Sequence, residues 1–277
     1  MPADLPEPVL REVRAIVTGG TSGLGLAMVR ALVGAGARVA LTGRRPDRAR
    51  QVAEEVGHDA GRVAGGSAFG VGMDVRDEES VASGVAQARA ALGGLDLLVN
   101  NAGIGMRTVN PAFLSEPRPF WEVSPAGWRD VIATNLTGYF LVAREVTPGF
   151  VAAGAGRIVT ISLNYETMRR RGFVPYGPSR AGAEALSRVM AADLAGTGVT
   201  VNILLPGGAT ATGMIPEGLP ESARAGLLDP AIMGPPIVYL ASPAAADVHD
   251  ERIVASEFDA WLASRKMRGE TPGEVLE

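Results

Sequence analysis

Short unbroken apolar runs alternate with longer stretches of helical spacing along this 277-residue chain. Arg14-Ala15-Ile16-Val17 is the first run, and Leu26, Val29, Ala31, Leu32 and Val33 follow it at helical intervals. A second run over 38–42 closes a strand-helix-strand unit. Further strands are predicted over 67–72, 95–100, 157–162, 199–205 and 252–257, with helices over 45–56, 77–92, 125–151, 178–194 and 237–240. Valine, isoleucine and leucine runs without polar alternation are buried on both faces, so the pattern predicts an α/β fold: a doubly wound parallel sheet of about seven strands in a single domain. Ligands of such sheets bind beyond the carboxyl ends of the strands.

No linker, repeat or low-complexity tract divides the chain, so one domain is expected over 13–262, with an N-terminal extension 1–12 and a tail 263–277. The net charge of −4, without a concentrated basic stripe, argues against nucleic acid as a partner. Arg169-Arg170-Arg171 is a local cluster and reads as a solvated loop. No apolar run reaches the length of a membrane span, and residues 1–12 are acidic and proline-bearing, so a cytoplasmic protein with no membrane partner is expected. Cysteine is absent, which removes disulfides and thiolate chemistry. The only histidines, His58 and His249, are expected on exposed segments and leave little for a metal centre or a serine triad.

The first strand breaks into Thr18-Gly19-Gly20-Thr21-Ser22-Gly23-Leu24-Gly25 before a helix. Glycine at 19, 23 and 25 lets the backbone turn tightly and approach a pyrophosphate, whose charge the N–H groups and dipole of the helix favour. Thr21, Ser22 and Leu24 share that turn. At the end of the second strand, where an NAD site would carry a carboxylate, stand Gly43, Arg44 and Arg45. Glycine leaves room and a guanidinium takes a 2′-phosphate in bidentate fashion, so NADP(H) is favoured over two solvated arginines opening a helix. After the third strand, Asp74-Val75 puts a carboxylate where it could accept from an adenine amino group, although Asp74 or Asp77 could equally cap a helix.

The fourth strand ends in Asn100-Asn101-Ala102-Gly103. With Thr18 to Gly25, Asp74-Val75, Tyr176 at the head of a helix, and Pro206-Gly207 after the sixth strand, the order and spacing resemble the short-chain dehydrogenase/reductase family over nearly the whole chain. The resemblance implies a Rossmann-like domain, a nicotinamide dinucleotide along the strand ends, and hydride transfer to or from a carbonyl or alcohol carbon. It implies that Asn101, Ala102 and Gly103 border the coenzyme, and that a threonine after Pro206-Gly207, either Thr210 or Thr212, meets the nicotinamide. It also implies a substrate lid over about 213–228 and a homotetramer or dimer paired through the helices 125–151 and 178–194. The segment 105–123, with Phe113, Phe120 and Trp121, is long for a simple connection and could wall the substrate pocket or pack on another subunit.

Tyr176 is the candidate general acid/base, because a ketone needs a proton at oxygen as hydride reaches carbon, and a phenol is too weak an acid unless a cation stabilises its anion. One helical turn on stands Arg180, where the family has lysine. Arginine keeps the charge and can bond a ribose hydroxyl, but it cannot pass a proton on. The family's serine, about thirteen residues before the tyrosine, falls on Leu163. Ser162 is adjacent but on the opposite face of a strand, and Asn164 could donate an amide hydrogen to a carbonyl oxygen; Asn164 is slightly favoured, and the position could also go unreplaced. Asn135 lies within an apolar helical stripe, where its amide either braces the neighbouring backbone or holds the relay water that the resemblance implies. Two functions follow: an NADP(H)-dependent oxidoreductase acting on a moderately apolar small molecule, or a dinucleotide-binding member with lost or replaced redox chemistry. Leu163 and Arg180 favour the second, and the intact Tyr176, turn and Asn135 favour the first.

Overall fold

The computed structural model describes residues 10–59, 65–216 and 220–267. Seven strands, β1 (Arg14–Val17), β2 (Arg38–Gly43), β3 (Ser67–Gly72), β4 (Leu97–Asn100), β5 (Gly156–Ile161), β6 (Val199–Leu205) and β7 (Arg252–Val254), form one sheet in the order β3-β2-β1-β4-β5-β6-β7. Every pairing is parallel. The order reverses between β1 and β4, which opens a crevice at their carboxyl ends.

Alternate strand residues serve two separate cores. Ala15 and Val17, Val39 and Leu41, and Leu97 and Val99 face one layer, covered by α1 (Gly23–Gly34), α2 (Pro46–Asp59) and α9 (Gly234–Ala241). Ile16, Ala40 and Leu98 face the other, covered by α3 (Glu78–Leu92), α5 (Gly138–Ala153) and α7 (Tyr176–Leu194). The buried runs therefore have the predicted origin: every strand but β7 has apolar neighbours on both sides.

Several boundaries differ from the sequence expectation for local reasons. β4 starts at Leu97, just after Asp96, whose carboxylate accepts from the Arg14 guanidinium and whose backbone still bonds Arg14 and Arg157. β7 stops at Val254, where 255–257 coil into a 3-10 turn. The helix expected over 125–151 is α4 (Pro125–Ile132) and α5 joined by a π-helical segment, Ala133–Thr137, which holds Asn135. The helix expected from 178 begins at Tyr176, which puts the phenol in its first turn. At the termini, Leu10 is buried in the first core and α10 (Phe258–Met267) runs through residue 262, so the domain extends past both expected borders, while 1–9 and 268–277 lie outside the described residues. His249 is a correction: it is half-buried, accepting from Val201 N and meeting the Ala191 carbonyl, whereas His58 is exposed. Among the described residues no helix is long and apolar enough to cross a membrane.

Asp77, not Asp74, caps α3: its carboxylate accepts from Ser80 N at 2.7 Å. Asp77→Ala is expected to destabilise the protein by about 1 kcal/mol, read as a lower urea midpoint at unchanged slope.

Candidate active site

The crevice is built from close backbone approaches. Gly19 (φ +63°) and Gly23 (φ +56°) take left-handed conformations, and a Cβ on Gly19 would stand 2.8 Å from Ala102 Cα. A Cβ on Gly25 would stand 2.4 Å from both Asn101 Nδ2 and the Gly19 carbonyl oxygen. The β1 and β4 turns are tied together by the buried Thr18 hydroxyl, which accepts from Asn101 N and Ala102 N at 2.9 Å each. Ser22 occupies the N-cap of α1 in extended conformation without a side-chain cap bond, so the first-turn N–H groups face the crevice uncapped. These features fit a pyrophosphate.

A cavity of about 410 Å³ runs along this edge. Gly19 and the turn from Thr21 to Gly25 form one wall, Gly43 and Arg44 one end, and Asp74, Val75 and Arg76 the side. Asn101, Ala102, Gly103, Tyr176, Arg180, Ser162 and Thr212 complete it. Arg45, Pro206, Gly207, Thr210, Asn135 and Asn164 do not border it. Arg45 is exposed past Arg44. Gly207 (φ +99°) is there for packing, since a Cβ would collide with the Ser256 hydroxyl. Asp74 is fixed by Arg76, whose Nη2 lies 2.7 Å from its carboxylate. Hydrogen bonding from Arg76, against a smaller opposing effect of burial, holds the Asp74 carboxyl below the usual carboxylate range.

Arg180 is 3 % exposed and faces the site from α7. Its Nη1 donates to the Tyr139 hydroxyl and to the Ile161 carbonyl at 2.9 Å, while Nε has no partner. The guanidinium carbon lies 5.4 Å from the Tyr176 ring centre and 5.5 Å from that of Tyr139. Burial opposes its charge, but the oxygens of Tyr139 and Tyr176 more than offset that, and its pKa stays above the ordinary arginine value. Gly103 is small for Arg180: a Cβ there would stand 2.4 Å from Nη2. Burial pushes the Tyr139 phenol up despite the facing Arg180, so this hydroxyl keeps its proton.

Asn135 is fully buried, and both amide hydrogens are engaged, with the Ile104 carbonyl at 3.0 Å and Ser179 Oγ at 3.1 Å. Its oxygen accepts from Ile104 N at 2.9 Å, so it braces the chain just after β4. Ser179 in turn donates to the Tyr176 carbonyl at 2.7 Å.

A second cavity, of about 450 Å³, meets the first at Ser162, Tyr176, Leu24, Thr212 and Met214. Ser162 lies just past β5 with its hydroxyl buried and unpartnered. Asn164 borders only this second cavity, and its oxygen caps α6 (Tyr165–Met168) by accepting from Thr167 N at 3.1 Å. Pro206 and Thr210 also border it. From the segment 105–123, Phe113 borders the cavity, whereas Phe120 and Trp121 are 68 % and 72 % exposed and border no cavity described here. The expected lid, which carries the short helix α8 (Glu221–Arg224), is pinned at its base by Leu228 N to Ala209 O and Ala211 N to Leu228 O, and Arg107 ties it to the 105 loop through the Gly213 carbonyl at 2.8 Å. Met214 covers the phenol, its sulfur 3.9 Å from Tyr176 Oη. Residues 217–219 of that lid lie outside the described residues.

A model of the short chain dehydrogenase family matches residues 13–221. The chain belongs to the short-chain dehydrogenase family. The family places it among oxidoreductases that act on alcohol or carbonyl carbons with a nicotinamide dinucleotide. It is 36 % identical over 244 residues to cis-4-hydroxycyclohexanecarboxylate dehydrogenase of Sinomonas cyclohexanicum, covering 84 % of this chain and 91 % of that one. It is 34 % identical over 193 residues to 3-oxoacyl-[acyl-carrier-protein] reductase of Aquifex aeolicus, covering 70 % and 72 %. Its fold is similar to that of a metagenomic short-chain oxidoreductase solved in complex with NADP, with a TM-score of 0.71, 28 % identity and coverage of 89 % and 97 %.

Two residues of this dehydrogenase escaped the sequence reading. Tyr139, one turn after Asn135, fits the same apolar helical stripe by its spacing, yet a buried phenol needs a partner and finds Arg180. Arg252 carried no motif; it bonds Glu184, lies 4.0 Å over the Tyr165 ring and donates to the Leu163 carbonyl at 2.8 Å, holding the segment that carries Leu163 and Asn164. Tyr139→Phe is expected to cost about 1 to 3 kcal/mol, because it takes an acceptor from a buried cation, and to lower the thermal midpoint measured by circular dichroism.

Proposed function

We propose that this dehydrogenase is NADP(H)-dependent and moves hydride to or from a carbonyl or alcohol carbon of a moderately apolar small molecule. The observation that carries this reading is the position of Tyr176, whose side chain borders both cavities one turn before a buried cation. The bound coenzyme would supply hydride. Its pyrophosphate fits the uncapped N-terminus of α1, its nicotinamide ribose the neighbourhood of Arg180, and its 2′-phosphate Arg44, beside a Gly43 that offers no competing carboxylate.

The phenol of Tyr176 gives or takes the proton at the substrate oxygen, and Arg180 stabilises the phenolate as a fixed charge. Of the two donors weighed for the missing serine, Ser162 is the better supported, because it borders both cavities and Asn164 has its oxygen in a helix cap. Asn135 acts as a brace under the β4 turn. A homotetramer or dimer is supported by exposed apolar residues on α4, α5 and α7, namely Trp128, Phe140 and Val189. The second reading, a coenzyme-binding protein with replaced redox chemistry, draws on Leu163 and on the bonds that hold Nη1 of Arg180 at Tyr139 and Ile161.

Fluorescence titration is expected to give tighter binding of NADPH than of NADH, and Arg44→Ala to weaken NADPH about tenfold while changing NADH little. Tighter NADH binding by the unmodified protein overturns the coenzyme assignment. Against a panel of carbonyl compounds, Tyr176→Phe is expected to lower kcat by a factor of about 100 or more while NADPH titration still saturates. Unaltered turnover removes Tyr176 from the reaction, and an inactive but NADPH-binding parent protein favours the second reading.

A further inference from the structure

The arginine cluster 169–171 sits on the loop between α6 and α7, and its three members differ in surroundings. Arg169 turns back along its own helix, with Nε 3.3 Å from the Tyr165 carbonyl. Arg171 borders no cavity described here. Arg170 borders the 450 Å³ cavity, and among the described residues it is the only charged one that does so. Its guanidinium carbon lies 5.3 Å from the centre of the Phe173 ring. Phe173 is buried and meets Phe113 edge to face at 5.5 Å. Phe173 and Phe113, with Met106, form the small apolar cluster against which Tyr176 packs. One rigid aromatic therefore touches the cation at the cavity's rim and belongs to the group supporting the reacting phenol. Among the described residues Arg170 has no carboxylate partner.

A lone cation over an aromatic wall of a largely apolar chamber, otherwise lined by uncharged described residues, is matched by a ligand with an apolar body and one anionic end. A guanidinium offers two parallel N–H groups, the geometry a carboxylate accepts. Stacking on Phe173 restricts the arginine and lowers the entropy lost when the anion binds. Resting on the redox reading above, we propose that the substrate is an oxo or hydroxy acid: its carbonyl or alcohol carbon lies at Tyr176, its apolar body against Phe113 and Phe173, and its carboxylate on Arg170.

The test uses the purified full chain with NADPH and two matched pairs, levulinate with methyl levulinate and 4-acetylbenzoate with its methyl ester. For at least one pair the acid is expected to exceed its ester in kcat/KM by about tenfold or more, chiefly through KM. Arg170→Leu is expected to cost the acid about ten- to a hundredfold more than the ester, and Arg170→Lys to restore part of that difference. Rising salt is expected to narrow the gap, because the contact lies at an exposed rim. Esters equal to or better than acids in both pairs, or an Arg170→Leu variant that loses equally on acid and ester, overturns the proposal and leaves the redox reading intact. If no compound is turned over, calorimetry of the same pairs on the NADPH-loaded protein decides. Preferential acid binding that Arg170→Leu abolishes keeps the anion site and sinks the redox reading, and equal binding sinks the anion site.

Discussion

A permanent positive charge buried beneath the strand ends governs the architecture of this site. Leaving water costs a charged group several kcal/mol unless neighbours replace the solvent, and Arg180 lies in a region without a carboxylate bonded to it. The carboxylate one turn further along α7, Glu184, is taken by Arg252. What Arg180 has instead are neutral oxygens, from Tyr139 and Ile161, and the faces of two phenol rings. Its surroundings are shaped accordingly: Gly103 has no side chain where the guanidinium fills the space, and the buried Tyr139 supplies an oxygen to the cation. Such an environment favours electron-rich groups arriving from the crevice.

The sheet supplies the position of that charge, and a few buried polar ties supply its precision. Thr18 joins the turn after β1 to the turn after β4, which fixes the width of the crevice at the point where strand order reverses. Asn135 then locks the next residues, bonding both the N–H and the carbonyl of Ile104. Its amide also reaches Ser179, which holds the Tyr176 carbonyl. The β4 turn, the π-helical segment and the first turn of α7 are thereby a single hydrogen-bonded unit. The π-helical segment Ala133–Thr137 carries Asn135 at the junction of α4 and α5, a kind of insertion often found at functional sites.

Much of this was readable in the chain, because backbone demands leave marks in residue type. Glycines 19, 23 and 25 stand where a Cβ would collide or the backbone is left-handed, and the uninterrupted apolar strands reflect burial on both faces. Residues whose role depends on distant partners left weaker marks. Tyr139 fits an apolar helical stripe equally well as a packing residue, and only the approach of α7, 41 positions away, makes its hydroxyl necessary. Arg252 meets Leu163 across 89 positions, a pairing that no local pattern encodes. The preference for Asn164 over Ser162 came from strand alternation, and Ser162 N does still donate to the Leu204 carbonyl of β6 at 2.9 Å; that Ser162 nevertheless borders both cavities depends on the packing of the crevice, which no local pattern encodes.

The exchange of lysine for arginine at position 180 restricts how a proton can travel. An ammonium can release a proton and recover it, while a guanidinium retains its own throughout the ordinary pH range, and the neighbours of Arg180 strengthen that retention. A relay through residue 180 is therefore closed. Asn135 does not reopen it, because both amide hydrogens are held by Ile104 and Ser179. Tyr139 keeps its proton as well, held by burial, and serves as an acceptor for the cation. On the proposed reading, the open side of the Tyr176 phenol, where the two cavities meet and Met214 lies beside the hydroxyl, would be the place where it exchanges a proton. On the redox reading proposed above, charge stabilisation and proton supply, which one lysine can combine, would be divided between a buried arginine and the lid side of the pocket.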